Sequence, residues 1–210
     1  MIETATAFER LYRRDTPLPW DLNCPTPFVR ELAEEGQRHG KILDAGCGTG
    51  ENALYLAARN HHVVAFDGAP TAIAKARAKA LARGLQVDFR VADARELPGT
   101  AGPFDTIIDS GLFHVFDRKA DRRRYAASLR RVCEPGARLY LLAFRAEQNS
   151  RLEWASRLRT LLRRLFTGFG THGVSEEELR QAFREGWATE SVAERVDGNH
   201  RFSFAKIRAV

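Results

Sequence analysis

Short apolar runs recur along the chain, and four of them close on an aspartate. Lys41-Ile-Leu-Asp44, His62-Val-Val-Ala-Phe-Asp67, Gln86–Val91 with Asp93 just beyond, and Phe104-Asp-Thr-Ile-Ile-Asp109 all read as strands, and Arg138–Phe144 is the most apolar of the set. Between them lie helical patterns. Asn52–Arg59 is one, and Pro70–Arg83 is a second, with proline suited to a first turn and Gly84 to the stop. A third runs from Lys119 to about Cys133 and stops before Pro135-Gly136, and Ser175-Glu-Glu-Glu178 is a capping box for a fourth that ends near Gly186. Two alternating runs, Trp187–Val196 and Arg201–Arg208, read as a hairpin joined by Asp197-Gly198. Strands separated by helices predict an α/β domain with a parallel sheet covered on both faces, and the terminal hairpin adds an antiparallel edge.

The stretch Lys41-Ile-Leu-Asp-Ala-Gly-Cys-Gly-Thr-Gly50 breaks its strand into three glycines at alternate positions, directly before a helix. Glycine has no Cβ to block close approach of backbone to a ligand, and it takes positive φ cheaply. A dinucleotide-binding G-x-G-x-x-G would need its third glycine one residue later, where Glu51 stands. A pyrophosphate ligand is therefore disfavoured.

Composition narrows the class. The 210 residues, 44% hydrophobic and 29% charged, suffice for one ordinary globular domain. The N-terminus lacks a basic region followed by an apolar one, and no apolar run approaches the roughly 20 residues of a membrane span. Cys24, Cys47 and Cys133 fit neither a disulfide framework nor a zinc site, so no metal is expected and a reducing cytoplasm is the default. The net charge of +6 raises nucleic acid as a partner, but arginine is spread through predicted helices and reads better as solvated helix faces.

Ligands of open α/β sheets bind outside the carboxyl ends of the strands, so the strand-end carboxylates matter together. Asp67 can accept from two ribose hydroxyls, and Asp93 can accept from an exocyclic amine while the Ala94 N–H reads a ring nitrogen. The pattern Asp44-x-Gly46-x-Gly48-x-Gly50, with Pro19-Trp20-Asp21, Ala69-Pro-Thr-Ala-Ile73 and Phe104–His114, resembles class I S-adenosylmethionine (SAM) methyltransferases, in particular small-molecule enzymes of the thiopurine-methyltransferase-like and tellurite-resistance-like kind. The resemblance implies a seven-stranded sheet in the order 3-2-1-4-5-7-6 with its last strand antiparallel. It also implies ribose at Asp67, adenine at Asp93 and Ala94, and the methionine moiety near Asp44, Gly46 and Ser110, with Gly68 among the cofactor-binding residues. The expected product is S-adenosylhomocysteine (SAH).

The acceptor end is written less clearly. His114, beyond the strand ending Asp109-Ser110, is the best-placed candidate for a general base, with Asp109 to orient it or to contact the cofactor amine. Trp20-Asp21 lies among Pro17, Pro19, Pro25 and Pro27, a stiff segment able to fold over the cofactor with the indole against the sulfonium. From Arg151 to Phe166, Trp154, Leu158, Leu161, Leu162 and Leu165 form an apolar stripe among five arginines. That helix can cover an acceptor pocket, rest on an anionic membrane surface, make a homodimer contact or pack on its own domain.

The expected organisation is one domain over 1–210: an N-terminal helical arm or lid (1–40), a cofactor core (41–145), the inserted basic helix (146–174), and a helix with hairpin (175–210). The expected function is SAM-dependent methylation of a sulfur, nitrogen or oxygen on a small apolar or aromatic acceptor, by a monomer or homodimer. An RNA or ribosome methyltransferase and a non-catalytic SAM-binding protein are the alternatives. Against the first, Asp109-Ser-Gly-Leu112 stands where base-amino methyltransferases carry an Asn/Asp-Pro-Pro-aromatic motif.

Overall fold

The computed structural model describes residues 3–14, 16–34, 40–98, 102–145, 173–197 and 200–210. Two helices, α1 (Glu3–Tyr12) and α2 (Pro27–Glu34), precede the sheet. The alternation then runs β1 (Lys41–Ala45), α3 (Glu51–Ala57), β2 (His62–Asp67), α4 (Pro70–Ala82), β3 (Asp88–Val91), β4 (Phe104–Ser110), α5 (Lys119–Arg131) and β5 (Cys133–Phe144). Helix α6 (Glu176–Ala182) and the hairpin β6 (Trp187–Asp197) and β7 (His200–Ala209) follow. No helix among the described residues is long and apolar enough to cross a membrane. The basic segment 151–166 lies outside the described residues.

The strands form one sheet in the order β3-β2-β1-β4-β5-β7-β6. β1 to β5 are parallel, and β7 runs antiparallel to both β5 and β6, as the hairpin requires. Each face carries its own buried layer. Leu43, Phe104, Ile107, Tyr125, Leu129, Leu139 and Phe183 pack on one side, and Phe28, Ile42, Leu54, Ile73, Phe89, Ile108 and Phe204 on the other. Residues of β1, β4 and β5 appear in both layers, which is why their runs read as nearly continuous apolar sequence.

Strand β5 begins at Cys133 and not at Arg138 as its apolar run predicts, because Phe104 already pairs with Cys133 before the register shifts to Thr106 opposite Arg138. Pro135 and Gly136 fall inside that irregular stretch, where no regular ladder is broken by a missing N–H. The capping box of α6 forms as the sequence predicts: the Glu178 N–H donates to Ser175 Oγ and the Ser175 N–H donates to Glu178 Oε2.

The glycine loop is pinned between the layers. The Gly46 and Cys47 N–H groups both donate to the Phe66 carbonyl at 2.9 Å, curling the end of β1 back onto β2. Gly50 is the N-cap of α3 with φ +89°, and a Cβ there would stand 2.8 Å from Phe89 and 2.9 Å from Ala76. Gly50→Ala should therefore cost about 2–4 kcal/mol in urea unfolding, from left-handed strain plus overpacking.

Candidate functional site

Adjacent strands β2, β1 and β4 bring Asp67, Asp44 and Asp109 to one end of the sheet, around the loop Gly46–Gly50. The three carboxylates live differently. Asp67 is satisfied by backbone: its Oδ2 accepts from the Gly48 N–H at 3.0 Å and its Oδ1 from the Ala69 N–H at 2.8 Å, with Gly68 adding a further N–H. Burial still raises its pKa. Asp44 is only 1% exposed, and neither of its oxygens has a hydrogen-bond partner of good geometry. Its pKa is pushed up to about 8, first by burial and then by the charges of Asp109 and Asp67, against which the Ala53 N–H at the start of α3 pulls only partly.

Asp109 departs from the orienting role expected of it. Its Oδ1 accepts from the Leu112 N–H at 2.7 Å, and its Oδ2 from the Phe113 N–H at 3.1 Å and the Tyr125 hydroxyl at 2.9 Å. The carboxylate thus ties down the turn after β4, including the single helical turn Phe113–Val115 that carries His114, and burial lifts its pKa to about 6. Ser110, half-buried, ends β4 beside it.

His114 is likewise not disposed as a base. It is buried, and its Nδ1 accepts the Phe144 N–H at 3.4 Å. That bond uses the Nδ1 lone pair and leaves the proton of the neutral ring on Nε2. Burial, with Arg122 as a second cause, lowers its pKa to about 4. At neutral pH the ring is an uncharged donor through Nε2.

Asp93 caps the helical turn Ala94–Glu96, accepting from the Arg95 N–H and guanidinium, which also reaches Asp121 at 2.9 Å. Ala94 is buried at the head of that turn.

The N-terminal arm meets the glycine loop through Asp21, which the sequence pattern singled out, and through Tyr12, which it did not. A Cβ on Gly48, whose φ is +53°, would stand 2.9 Å from the Tyr12 hydroxyl, so it is Tyr12 rather than Trp20 that lies against the loop. Trp20 is 44% exposed, donates from Nε1 to the Tyr12 hydroxyl at 3.1 Å and packs edge-on to Phe8. Burial and the nearby Asp67 push the Tyr12 hydroxyl well above its usual range. Glu9 fixes the arm to α4 by accepting from the Thr71 N–H and hydroxyl. Asp21 accepts from the Thr49 hydroxyl at 2.6 Å, and Asn52 accepts from the Thr26 N–H at 2.9 Å. Thr49 and Asn52 flank the glycines, so their position marked them; Tyr12 comes from a separate helix and carries no local signal.

A site with an unsatisfied buried carboxylate between two others, beside a loop with glycine at every second position, fits a cationic ligand. SAM carries two positive centres, the sulfonium and the ammonium. The residues present fit that group.

In the unfolded chain Asp44 titrates near 3.8, and in the folded chain near 8. Its contribution to stability is therefore present at low pH and is lost as pH rises through that interval. Asp44→Asn should raise Tm more at about pH 8 than at about pH 5, while weakening cofactor binding. Calorimetric scans at the two pH values check the sign.

Residues 42–136 match the methyltransferase domain family. Over 194 residues the chain is 38% identical to the 2-heptyl-1-hydroxyquinolin-4(1H)-one methyltransferase of Mycobacteroides abscessus, covering 89% of this chain and 78% of that protein. A solved structure concerned with the conversion of a disulfide bond into a thioacetal group during echinomycin biosynthesis superposes with a TM-score of 0.81 at 35% identity, over 98% of this chain and 91% of that one. Magnesium protoporphyrin IX methyltransferase from Synechocystis PCC 6803, solved with bound SAH, shares the fold at a TM-score of 0.70 and 19% identity, over 98% and 93% of the two chains. The glycine loop, the strand-end carboxylates, the sheet order and these relatives together make the chain a member of the class I SAM-dependent methyltransferases, with SAM as its cofactor.

Proposed function

We propose that this enzyme transfers the SAM methyl group to an oxygen on a small, planar, apolar acceptor. The observation that carries the reading is the likeness to a hydroxyquinolone methyltransferase over 89% of the chain, well beyond the cofactor core. SAM supplies an activated methyl group on a sulfonium whose sulfur leaves with the bonding pair, so the protein's work is to align donor and acceptor and exclude water.

In this reading Asp67 and Gly68 hold the ribose, Asp93 and Ala94 face the adenine, and Asp44, Gly46 and Ser110 hold the methionine end, with Asp44 set against its positive charge. Gly48 and Gly50 keep the loop low enough for the ligand to lie on it. Tyr12, already against Gly48, closes the arm over the ribose side. The Asp93 carboxylate has to serve Arg95 and the adenine together, for which its two oxygens provide room.

Sulfur is the second reading for the acceptor atom, favoured by the structure from echinomycin biosynthesis at 35% identity. An RNA substrate draws support only from the net charge. Several of the arginines are held in ion pairs, as in Arg83 with Glu51, Arg122 with Glu178 and Arg195 with Glu31, although such pairs leave the net charge unchanged. Contact of the 151–166 segment with a membrane surface or an acceptor has no bearing from the described residues.

Titration calorimetry tests the cofactor half of the reading. SAM should bind in the micromolar range, and Asp67→Ala should weaken binding by about 2 kcal/mol or more, the usual strength of a hydrogen bond to a charged group. Unchanged affinity in the folded variant would remove Asp67 from the site. Mass spectrometry of 2-heptyl-1-hydroxyquinolin-4(1H)-one incubated with enzyme and SAM tests the acceptor half: an O-methyl product is expected, and methylation confined to thiols would favour the sulfur reading.

A further inference from the structure

Four rings meet at the rim of the sheet, beyond the last shared rung of β4 and β5. His114 lies edge-on to Phe144 with centroids 4.7 Å apart, and Phe144 stacks on Phe202 at 4.8 Å and 26°. His200 meets these two phenylalanines edge-on at 5.7 and 6.4 Å. The register explains the grouping. Phe144 and Phe202 are directly opposed rungs of β5 and β7, so their side chains share one face. Ser110 opposes Leu142, so Phe144 stands one side-chain repeat beyond the end of β4, where the turn tied down by Asp109 brings His114 across it.

These rings are not part of the core. Phe144 and Phe202 are only half-buried and belong to neither buried layer, and His200 is exposed. Stacked aromatic faces left at the carboxyl-end rim, next to the buried His114, offer an apolar ring a surface to lie on.

We propose that Phe144, Phe202 and His200 are the platform for a planar aromatic acceptor, and that His114 donates from Nε2–H to the acceptor's ionised oxygen. This rests on the oxygen-methylation reading and narrows it. Because Nδ1 is committed to the Phe144 N–H, His114 takes no proton, so the acceptor class is one whose hydroxyl ionises readily: an N-hydroxy heterocycle, a hydroxyquinone or an electron-poor phenol. Its proton leaves to solvent before transfer. The O–C bond then forms as the S–C bond breaks, and the negative oxygen and positive sulfonium are neutralised together. Both signs of charge lie around the cluster: Arg122 near His114 is paired with Glu178, Arg145 follows Phe144 with Glu194 3.7 Å from it and shared with Arg201, and Asp109 holds the turn before His114.

The test uses the full chain saturated with SAH and 4-nitrophenol, whose anion absorbs visible light. Bound 4-nitrophenol should ionise about one pH unit below the free phenol, as a hydrogen bond to the charged form favours it. His114→Leu should abolish that shift and His114→Gln, which keeps a donor, should restore part of it. Phe202→Leu and His200→Ala should each weaken 4-nitrophenol binding about fivefold while SAH affinity, which reports the fold, stays within about twofold. An unshifted ionisation, or a shift that survives His114→Leu, overturns the donor role. Absence of 4-nitrophenol binding, or affinity indifferent to both platform variants, overturns the platform. None of these readouts needs turnover, so a failure of methyl transfer to the hydroxyquinolone with the ionisation shift intact would count against the function and not against this site.

Discussion

A carboxylate buried with no well-aligned hydrogen-bond partner among the described residues is the constraint around which this molecule is arranged. Asp44 sits at the end of the central strand with Asp67 and Asp109 on the strands to either side, and their charges raise the cost of ionising it. Two of the three are relieved from within: Asp67 by the N–H groups of Gly48 and Ala69, Asp109 by the turn at Leu112–Phe113 and by Tyr125. The middle one is not. An unsatisfied buried acid costs stability in the folded chain, and a cation bound beside it returns that cost as affinity.

The relieving contacts also shape the glycine loop. Gly48 gives its N–H to Asp67, and this holds the loop flat against β2. The curl that starts it comes from two N–H groups sharing the Phe66 carbonyl. The N-terminal arm then closes from outside, through Glu9 on Thr71, Asp21 on Thr49 and Tyr12 over Gly48. Lys79 joins the two sides, donating to Thr49 and pairing with Glu51 at 2.9 Å. Cofactor loop, arm and α4 are thus one connected polar network, while the acceptor side is built from aromatic faces at the opposite flank of β4.

His114 shows how a single hydrogen bond reassigns a side chain. From its place after β4 it reads as a base, since imidazole titrates near neutrality and stands close to the expected transfer. Packed under Phe144 and accepting that residue's N–H, it keeps its proton on the other nitrogen. Asp109 was reassigned for the same reason: the backbone of the turn that it initiates reaches its oxygens before any imidazole does.

The sequence by itself determined the parts whose cause is local. Alternation of period two marked the hairpin, the Ser175–Glu178 box marked the start of α6, and the alternate glycines behind Asp44 marked the cofactor loop, because strand faces, caps and backbone freedom are properties of neighbouring residues. It also placed Asp67 and Asp93 at strand ends, which a parallel sheet necessarily gathers at one edge. Only the tertiary structure decided which carboxylate would be left without partners, that Tyr12 and not Trp20 would lie on the glycine loop, and that Phe144, His200 and Phe202 would join His114. These depend on crossovers that bring distant segments together, on a register in which β7 returns against β5, and on competition among donors for the same oxygen. None of those quantities has a spacing that can be read along the chain.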